Sequence, residues 1–186
     1  MGFRLPFRQS PTEDSALRLY KCIVAQARRP KFYLRCGVAD TPDGRFDMVA
    51  LHTYLVLRRL RADHERTADV AQALFDLMFT DMDQNLREMG IGDMGISRRI
   101  KAMAQGFYGR MAAYDAGLDD GDPNGLREAL RRNLYRNTEP SAEQLAWMAD
   151  YLSGESAALA AETTDRLLAG SLEFGPPPDA ILENAP

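Results

Sequence analysis

The sequence predicts an all-α protein, a single-domain bundle of about six helices. Three observations carry this reading. Apolar residues recur at helical spacing along most of the chain. Ser or Asp followed by proline, or by an acid or amide three residues on, marks several helix starts. No stretch alternates polar and apolar residues well enough to demand a sheet. At 186 residues, 45% hydrophobic and 27% charged, the composition suits one ordinary globular domain. A chain of this length buries roughly 70% of its unfolded surface, so it needs no disulfide or metal staple.

The elements follow in order. Ser10-Pro11-Thr12-Glu13 reads as an N-cap, a proline at N1 and a glutamate at N3, a capping box. The helix it opens should run to about Arg29, where Pro30 stops it. Phe32, Leu34 and Cys36 suit a short extended piece, followed by the turn sequence Thr41-Pro42-Asp43-Gly44. A second helix is expected over about Phe46 to Arg61, with Leu51, Leu55 and Val56 inward. A third spans about Thr67 to Met89 and ends at the cluster Gly90, Gly92 and Gly95, with Gly90 left-handed just past its end. A fourth spans about Ile96 to Leu118. Asp122-Pro123 caps a fifth, to about Asn137, and Ser141 with Gln144 opens a sixth. Gly154 should break or bend that last helix, and the alanine-rich stretch to Leu168 should be helical too. Residues 1–10 are expected to be flexible, 11–170 to form the helical domain, and 171–186 to be a disordered tail around Gly175-Pro176-Pro177-Pro178.

On a wheel of 100° per residue, the third helix puts Leu74, Phe75, Met78, Phe79, Met82, Leu86 and Met89 in one arc. Asn85 falls inside that arc. Two readings are open: a satisfied core amide that fixes a neighbouring loop, or a polar contact in a groove that holds a partner. The fourth helix carries two stripes. Ile96, Ile100, Met103, Phe107, Met111, Tyr114 and Leu118 form one; Ala102, Gly106, Gly109 and Ala113 form the other. Glycines inside a helix cost about 1 kcal/mol each, so the small-residue stripe implies close packing. Arg99 and Arg110 lie between the stripes with buried stems expected, and Glu88 and Asp93 are their expected acids. Tyr108 falls outside both stripes. Met89, Met94 and Tyr108 are therefore expected to border an exposed apolar groove.

Charge is unevenly placed. Residues 1–66 carry 13 Lys and Arg against 7 Asp and Glu; residues 67–186 carry 10 against 20. The basic part suits an anionic surface of lipid or RNA, or simply a solvated face. No run approaches the roughly 20 apolar residues of a membrane span. Met1 to Ser10 has no apolar h-region, so neither a secretory nor an organelle-targeting segment is read there. Its Phe3, Leu5 and Phe7 beside Arg4 and Arg8 suit either a disordered tail or weak contact with an anionic membrane. Cys22 and Cys36 have no zinc or redox spacing and suit free thiols in a reducing cytosol.

Enzyme readings fare poorly. Asp76, Asp81, Asp83 and Glu88 could suggest magnesium held to a diphosphate, but they split between two faces and no second aspartate-rich helix opposes them. His52 and His64 lack metal-ligand spacing: His52 reads as a partly buried helix residue and His64 as a loop or cap residue. No P-loop, nucleophile elbow or dinucleotide fingerprint occurs. No enzymatic activity, metal or cofactor is expected, and no DNA partner.

The run from Gln84 to Gly95, with Asn85, Leu86, Arg87, Glu88, Met89, Gly90, Gly92, Asp93 and Met94 in it, is followed by Phe107-Tyr108-Gly109-Arg110 and Tyr114-Asp115. These segments resemble the ubiquinol–cytochrome c chaperone family, over roughly residues 15–137. Leu51-His52-Thr53 and the Tyr33 region fit its looser pattern. The resemblance implies a helical, non-enzymatic chaperone that binds newly made cytochrome b and supports assembly of respiratory complex III. A cytoplasmic protein is expected, with peripheral contact at the inner membrane; the family's mitochondrial members work with a small helical partner subunit and near the ribosome, and these are further expected associations. The alternative reading is a ribosome- or RNA-associated adaptor without catalytic activity. It would use Arg28, Arg29, Lys31 and Arg35 with Phe32 and Tyr33 as a stacking patch, unless those aromatics plug the core. Binding that weakens steeply with salt would mark that alternative.

Overall fold

In the computed structural model, residues 10–119 and 122–178 are described. Six helices of eleven residues or more are found there, with two short ones of five: α1 (Pro11–Ala27), α2 (Pro30–Leu34), α3 (Pro42–Arg61), α4 (His64–Glu88), α5 (Asp93–Asp119), α6 (Pro123–Asn133), α7 (Ala142–Ala161) and α8 (Thr164–Leu168). No strand occurs among the described residues.

The helix starts follow the sequence. Ser10 Oγ accepts from the Glu13 amide at 3.2 Å, while Glu13 Oε2 accepts from the Ser10 amide at 2.8 Å. Ser141 and Gln144 repeat the reciprocal pair at α7, and the Asp122 carboxylate caps α6. Gly90 sits just past α4 with φ +80°, as an αL position at C′ requires.

Four local expectations are corrected. Residues 30–34 form a helical turn rather than an extended piece. Only Arg29 is extended, as a residue before proline must be, and Pro30 then supplies the N1 position of α2. Thr41-Pro42-Asp43-Gly44 is not a free turn but the first turn of α3, with Thr41 Oγ1 accepting from the Gly44 amide at 3.2 Å. A Cβ at Gly44 would lie 2.0 Å from the Ala39 carbonyl oxygen, so only glycine fits that approach. Gly154 does not interrupt α7. Its neighbours Tyr151, Leu152, Glu155 and Leu159 are buried, and that packing outweighs the roughly 1 kcal/mol helix cost of one glycine. Residues 171–178, expected in the tail, pack on the bundle: Leu172 is 5% exposed and the Phe174 ring meets His52 edge-on at 5.1 Å. Residues 1–9 and 179–186, also expected to be disordered, lie outside the described residues.

The core is organised around α3, where every residue from Phe46 to Val56 is buried. Such all-round burial needs cover on every side. α1, α4 and α7 pack directly against α3, and α5 and α6 complete the ring in the order α1, α4, α5, α6, α7. Between α7 and α1 the closure is polar. Gln26 Nε2 donates to Tyr151 Oη at 2.8 Å and to the Gly175 carbonyl at 2.7 Å. The Gly175 amide donates to the buried Glu155 carboxylate at 2.9 Å, which fixes the C-terminal segment.

Candidate functional site

An opening lies where the end of α1, the short α2, the start of α3 and the end of α4 meet. It is a groove of about 730 Å³. Phe46, Val49 and Met82, all buried, make its apolar floor. Leu34 stands on one wall and Met89 on another; they are 79% and 56% exposed, large apolar side chains left in water. Each has a local cause. Leu34 ends a helix too short to bury both faces. Met89 is the C-cap of α4, where the helix has run past the cover of α3. Polar residues frame the rim. Arg45 pairs with Asp40 at 2.7 Å, both well exposed.

Asn85 lines this groove and is half-buried. Its Nδ2 donates to the Asp81 carbonyl one turn back at 2.7 Å. Tyr20 Oη donates to the Asp81 carboxylate at 2.8 Å, and this bond together with burial raises the phenol above its ordinary range. Tyr33 Oη donates to the Ala27 carbonyl at 2.7 Å, and burial pushes that phenol up to about 12. The groove is thus apolar below, with a few placed hydrogen-bonding groups at its edge, the general form of a ligand-binding cleft. Among the described residues no group of three or more His, Cys, Asp or Glu side chains could hold a metal ion.

The floor rests on a buried charge cluster. Asp47, 4% exposed, is ion-paired with Arg110 at 3.0 Å and accepts from Arg136 at 2.9 Å. Desolvation lifts its carboxyl above the usual range, against the opposing pull of both guanidiniums. The Arg110 guanidinium also lies over the Phe46 ring, 5.4 Å from its centroid. Arg110 is therefore largely buried and ion-paired as expected, but its acid is Asp47 rather than Glu88 or Asp93. Those two are engaged elsewhere: Glu88 accepts from Gln84 at 3.1 Å and Asp93 from Arg87 at 2.6 Å. Arg99, expected to have a buried stem, is exposed.

The other expected site residues separate. Met94 and Tyr108 are 91% and 60% exposed, but neither lines the groove. Tyr108 belongs to an aromatic group with Phe75 and Phe107, at ring separations of 5.7 and 6.4 Å. Leu86 is buried, Arg87 bridges Asp83 and Asp93, and Gly92 is exposed. The small-residue stripe of α5 receives no helix: Ala102, Gly106 and Gly109 are exposed, and Cβ atoms at the two glycines would meet nothing within 4 Å.

Sequence reasoning missed Asp47, whose carboxylate looks like a surface residue in the first turns of a helix. It also missed a second strut, five residues further along α5. There Asp115 accepts from Tyr54 Oη at 2.9 Å, Arg58 at 2.5 Å and Arg61 at 2.8 Å. His52 is fully buried rather than partly so. Its Nδ1 faces the Met48 carbonyl at 2.8 Å, which can only accept, so Nδ1 carries the proton and Nε2 accepts from Tyr151 Oη at 2.9 Å. Burial lowers this imidazole to about 4. Phe32, one of the aromatics of the RNA reading, is also fully buried, against His52 and Tyr151 at 5.5 and 5.2 Å.

A family model described as Ubiquinol-cytochrome C chaperone matches residues 34–174, which hold two of the groove's four walls, α3 and α4, with Leu34 at the end of α2, and both α5 struts. The chain belongs to the ubiquinol–cytochrome c chaperone family. The match runs through α7 and α8, past the 15–137 span of the motif resemblance. Ubiquinol-cytochrome c reductase complex assembly factor 1 of Mus musculus is 27% identical over 179 residues, 95% of this chain and 60% of that protein. The Xenopus laevis counterpart is 26% identical, over 95% of this chain and 89% of its own length. This chaperone-family chain thus spans about three fifths of the mouse protein. The crystal structure of the Cbp3 homolog from Brucella abortus superimposes with a TM-score of 0.81 at 37% identity, covering 89% of this chain and 91% of that one. No described helix is long and apolar enough to cross a membrane.

Proposed function

We propose that this protein is a non-enzymatic assembly chaperone for ubiquinol–cytochrome c reductase, and that it holds an apolar helical segment of newly made cytochrome b in the groove between α2, α3 and α4. Membership of the chaperone family and likeness to complex III assembly factors support the assembly role. The observation that carries the groove is the pair Leu34 and Met89, exposed on two walls above the apolar floor of Phe46, Val49 and Met82. A client whose side chains are mostly apolar must be shielded from water before it enters a bilayer, and unbranched Met82 and Met89 adapt to irregular partners. Asn85 sits among them as a polar contact for a client backbone group or hydroxyl, its own amide nitrogen already engaged with Asp81.

The test is the double substitution Leu34→Asp and Met89→Asp. Both side chains are exposed, so folding should be intact by circular dichroism and melting. Burying the exposed parts of both against a client contributes about 2–3 kcal/mol, a factor of roughly 30–150 in affinity. Co-purification of cytochrome b and the complex III content of membranes should fall accordingly. Unchanged complex III in cells carrying the stable double variant would remove the groove from the proposal. Unchanged complex III after deletion of the gene would remove the assembly role itself.

A further inference from the structure

Beyond the groove, α5 offers a surface of different chemistry. Of its 27 residues only Ile96, Phe107, Tyr114 and Gly117 are buried. Met94, Arg98, Lys101 and Gln105 recur at i, i+4, i+7 and i+11, one outward row, and all are exposed; Arg99, also exposed, lies about 100° round the helix from Arg98. From Met94 to Tyr114 there is no Asp or Glu, within a half of the chain that is otherwise acidic. Among the described residues, Arg98, Arg99 and Lys101 take part in no ion pair or side-chain hydrogen bond. The neighbouring acid Asp93 is held by Arg87 at 2.6 Å. Met94, 91% exposed, heads the row.

We propose that this face of α5 docks on an anionic phospholipid surface, with Met94 entering the boundary between headgroups and acyl chains, Arg98 and Lys101 set against the lipid phosphates and the long Arg99 side chain reaching them from the flank of the helix. Cations beside an exposed apolar side chain, with no acid to repel the leaflet, are what such a surface selects. RNA fits less well. Met94 gains nothing from a phosphate backbone, and sequence-tolerant RNA binding rests on free aromatic rings, whereas Tyr108 is already against Phe75. A second copy of this chain would set cation against cation. Docking here has a geometric consequence. Met89 on the groove wall and Met94 flank the short connection between α4 and α5, at most about 18 Å of chain apart. The groove would then open close to the bilayer that receives an apolar client, although the docking itself does not depend on what the groove holds.

The experiment is co-sedimentation of the full chain with vesicles of phosphatidylcholine alone or mixed with phosphatidylglycerol, over a range of salt. Wild type should bind only the mixed vesicles, less at high salt. Each well-placed cation strengthens such binding about fivefold, so the triple variant Arg98→Gln, Arg99→Gln, Lys101→Gln should bind about 100-fold more weakly. Met94→Asp should weaken it severalfold with the charge row intact. These side chains are exposed, so melting temperatures should stay within about 2 °C of wild type. A second triple variant, Arg28→Gln, Arg29→Gln, Arg35→Gln, removes the same charge elsewhere and should bind within about twofold of wild type. The proposal is overturned by equal binding to neutral vesicles, by equal losses in the two triple variants, or by a chain that binds single-stranded RNA through Arg98, Arg99 and Lys101 and no vesicle at all.

Discussion

Replacing Arg110 with alanine should destabilise the protein by about 3 kcal/mol, and the figure follows from its surroundings. The Arg110 side chain is 11% exposed and the carboxylate it meets, Asp47, is 4% exposed. Breaking a buried pair by removing one partner costs roughly 3–5 kcal/mol, because the remaining charge is stranded away from water. Here the lower end applies. Arg136, 38% exposed, stays on Asp47 through contacts of 2.9 to 3.2 Å and offsets part of the loss. The contact of Arg110 with the Phe46 ring is lost as well. For a chain of this size the melting temperature should drop by about 6–12 °C. Urea unfolding of Arg110→Ala, Asp47→Ala and the double variant closes a thermodynamic cycle. Each single change should cost about 3 kcal/mol, and the double change less than their sum by about 2 kcal/mol. Additivity within about 0.5 kcal/mol, or a loss below about 1 kcal/mol for Arg110→Ala, would refute the argument that this pair carries the start of α3.

Gly90→Val should cost about 1–2 kcal/mol in urea unfolding, since φ is +80° and a β-branched residue resists that region. A Cβ there would meet nothing within 4 Å, so the cost is backbone strain alone and Gly90→Asn should lose less; a valine variant as stable as wild type would contradict this. The His52 imidazole, held near 4 against an ordinary 6.5, takes its proton in the unfolded chain before the folded one. Stability should therefore fall as pH drops from about 6.5 to about 4, by about 3 kcal/mol for this group once both forms are protonated. His52→Gln should flatten the pH dependence of urea unfolding across that window, and an unchanged slope would exclude His52 as its source.

How far the sequence discloses this structure depends on the kind of interaction. Caps were legible because their partners lie within four residues: Ser10 with Glu13, Ser141 with Gln144, and the αL glycine at 90. The inward arc of α4 was legible for the same reason, and Leu74, Met78, Met82 and Leu86 are buried. Helix boundaries near proline were less so. Pro30 follows the end of α1 and opens α2, and Pro42 opens α3, where Thr41 caps the helix and the approach to the Ala39 carbonyl requires glycine at 44. The order of residues 171–178 was illegible, because a segment rich in glycine and proline has no periodicity. What holds it is a set of long-range contacts to Gln26, His52 and Glu155.

The site divides along the same line, and the division says what the family motif encodes. Arg110 and Asp115, taken from the motif, do not reach the groove. They brace α5 against opposite ends of α3, through Asp47 at one end and through Tyr54, Arg58 and Arg61 at the other. Such charged struts demand particular residue types, because a guanidinium buried without its acid is costly. A motif built from them is therefore recognisable over long sequence distances. The groove asks for less. Leu34, Val49, Met82 and Met89 need only be apolar and of suitable size, and they come from three helices, so nothing in their spacing marks them as one surface. Asn85, Glu88 and Met89 belong to both sets: they fall in the motif run and they line the groove. The motif thus specifies the frame, and through these three residues it touches the place where the frame is open.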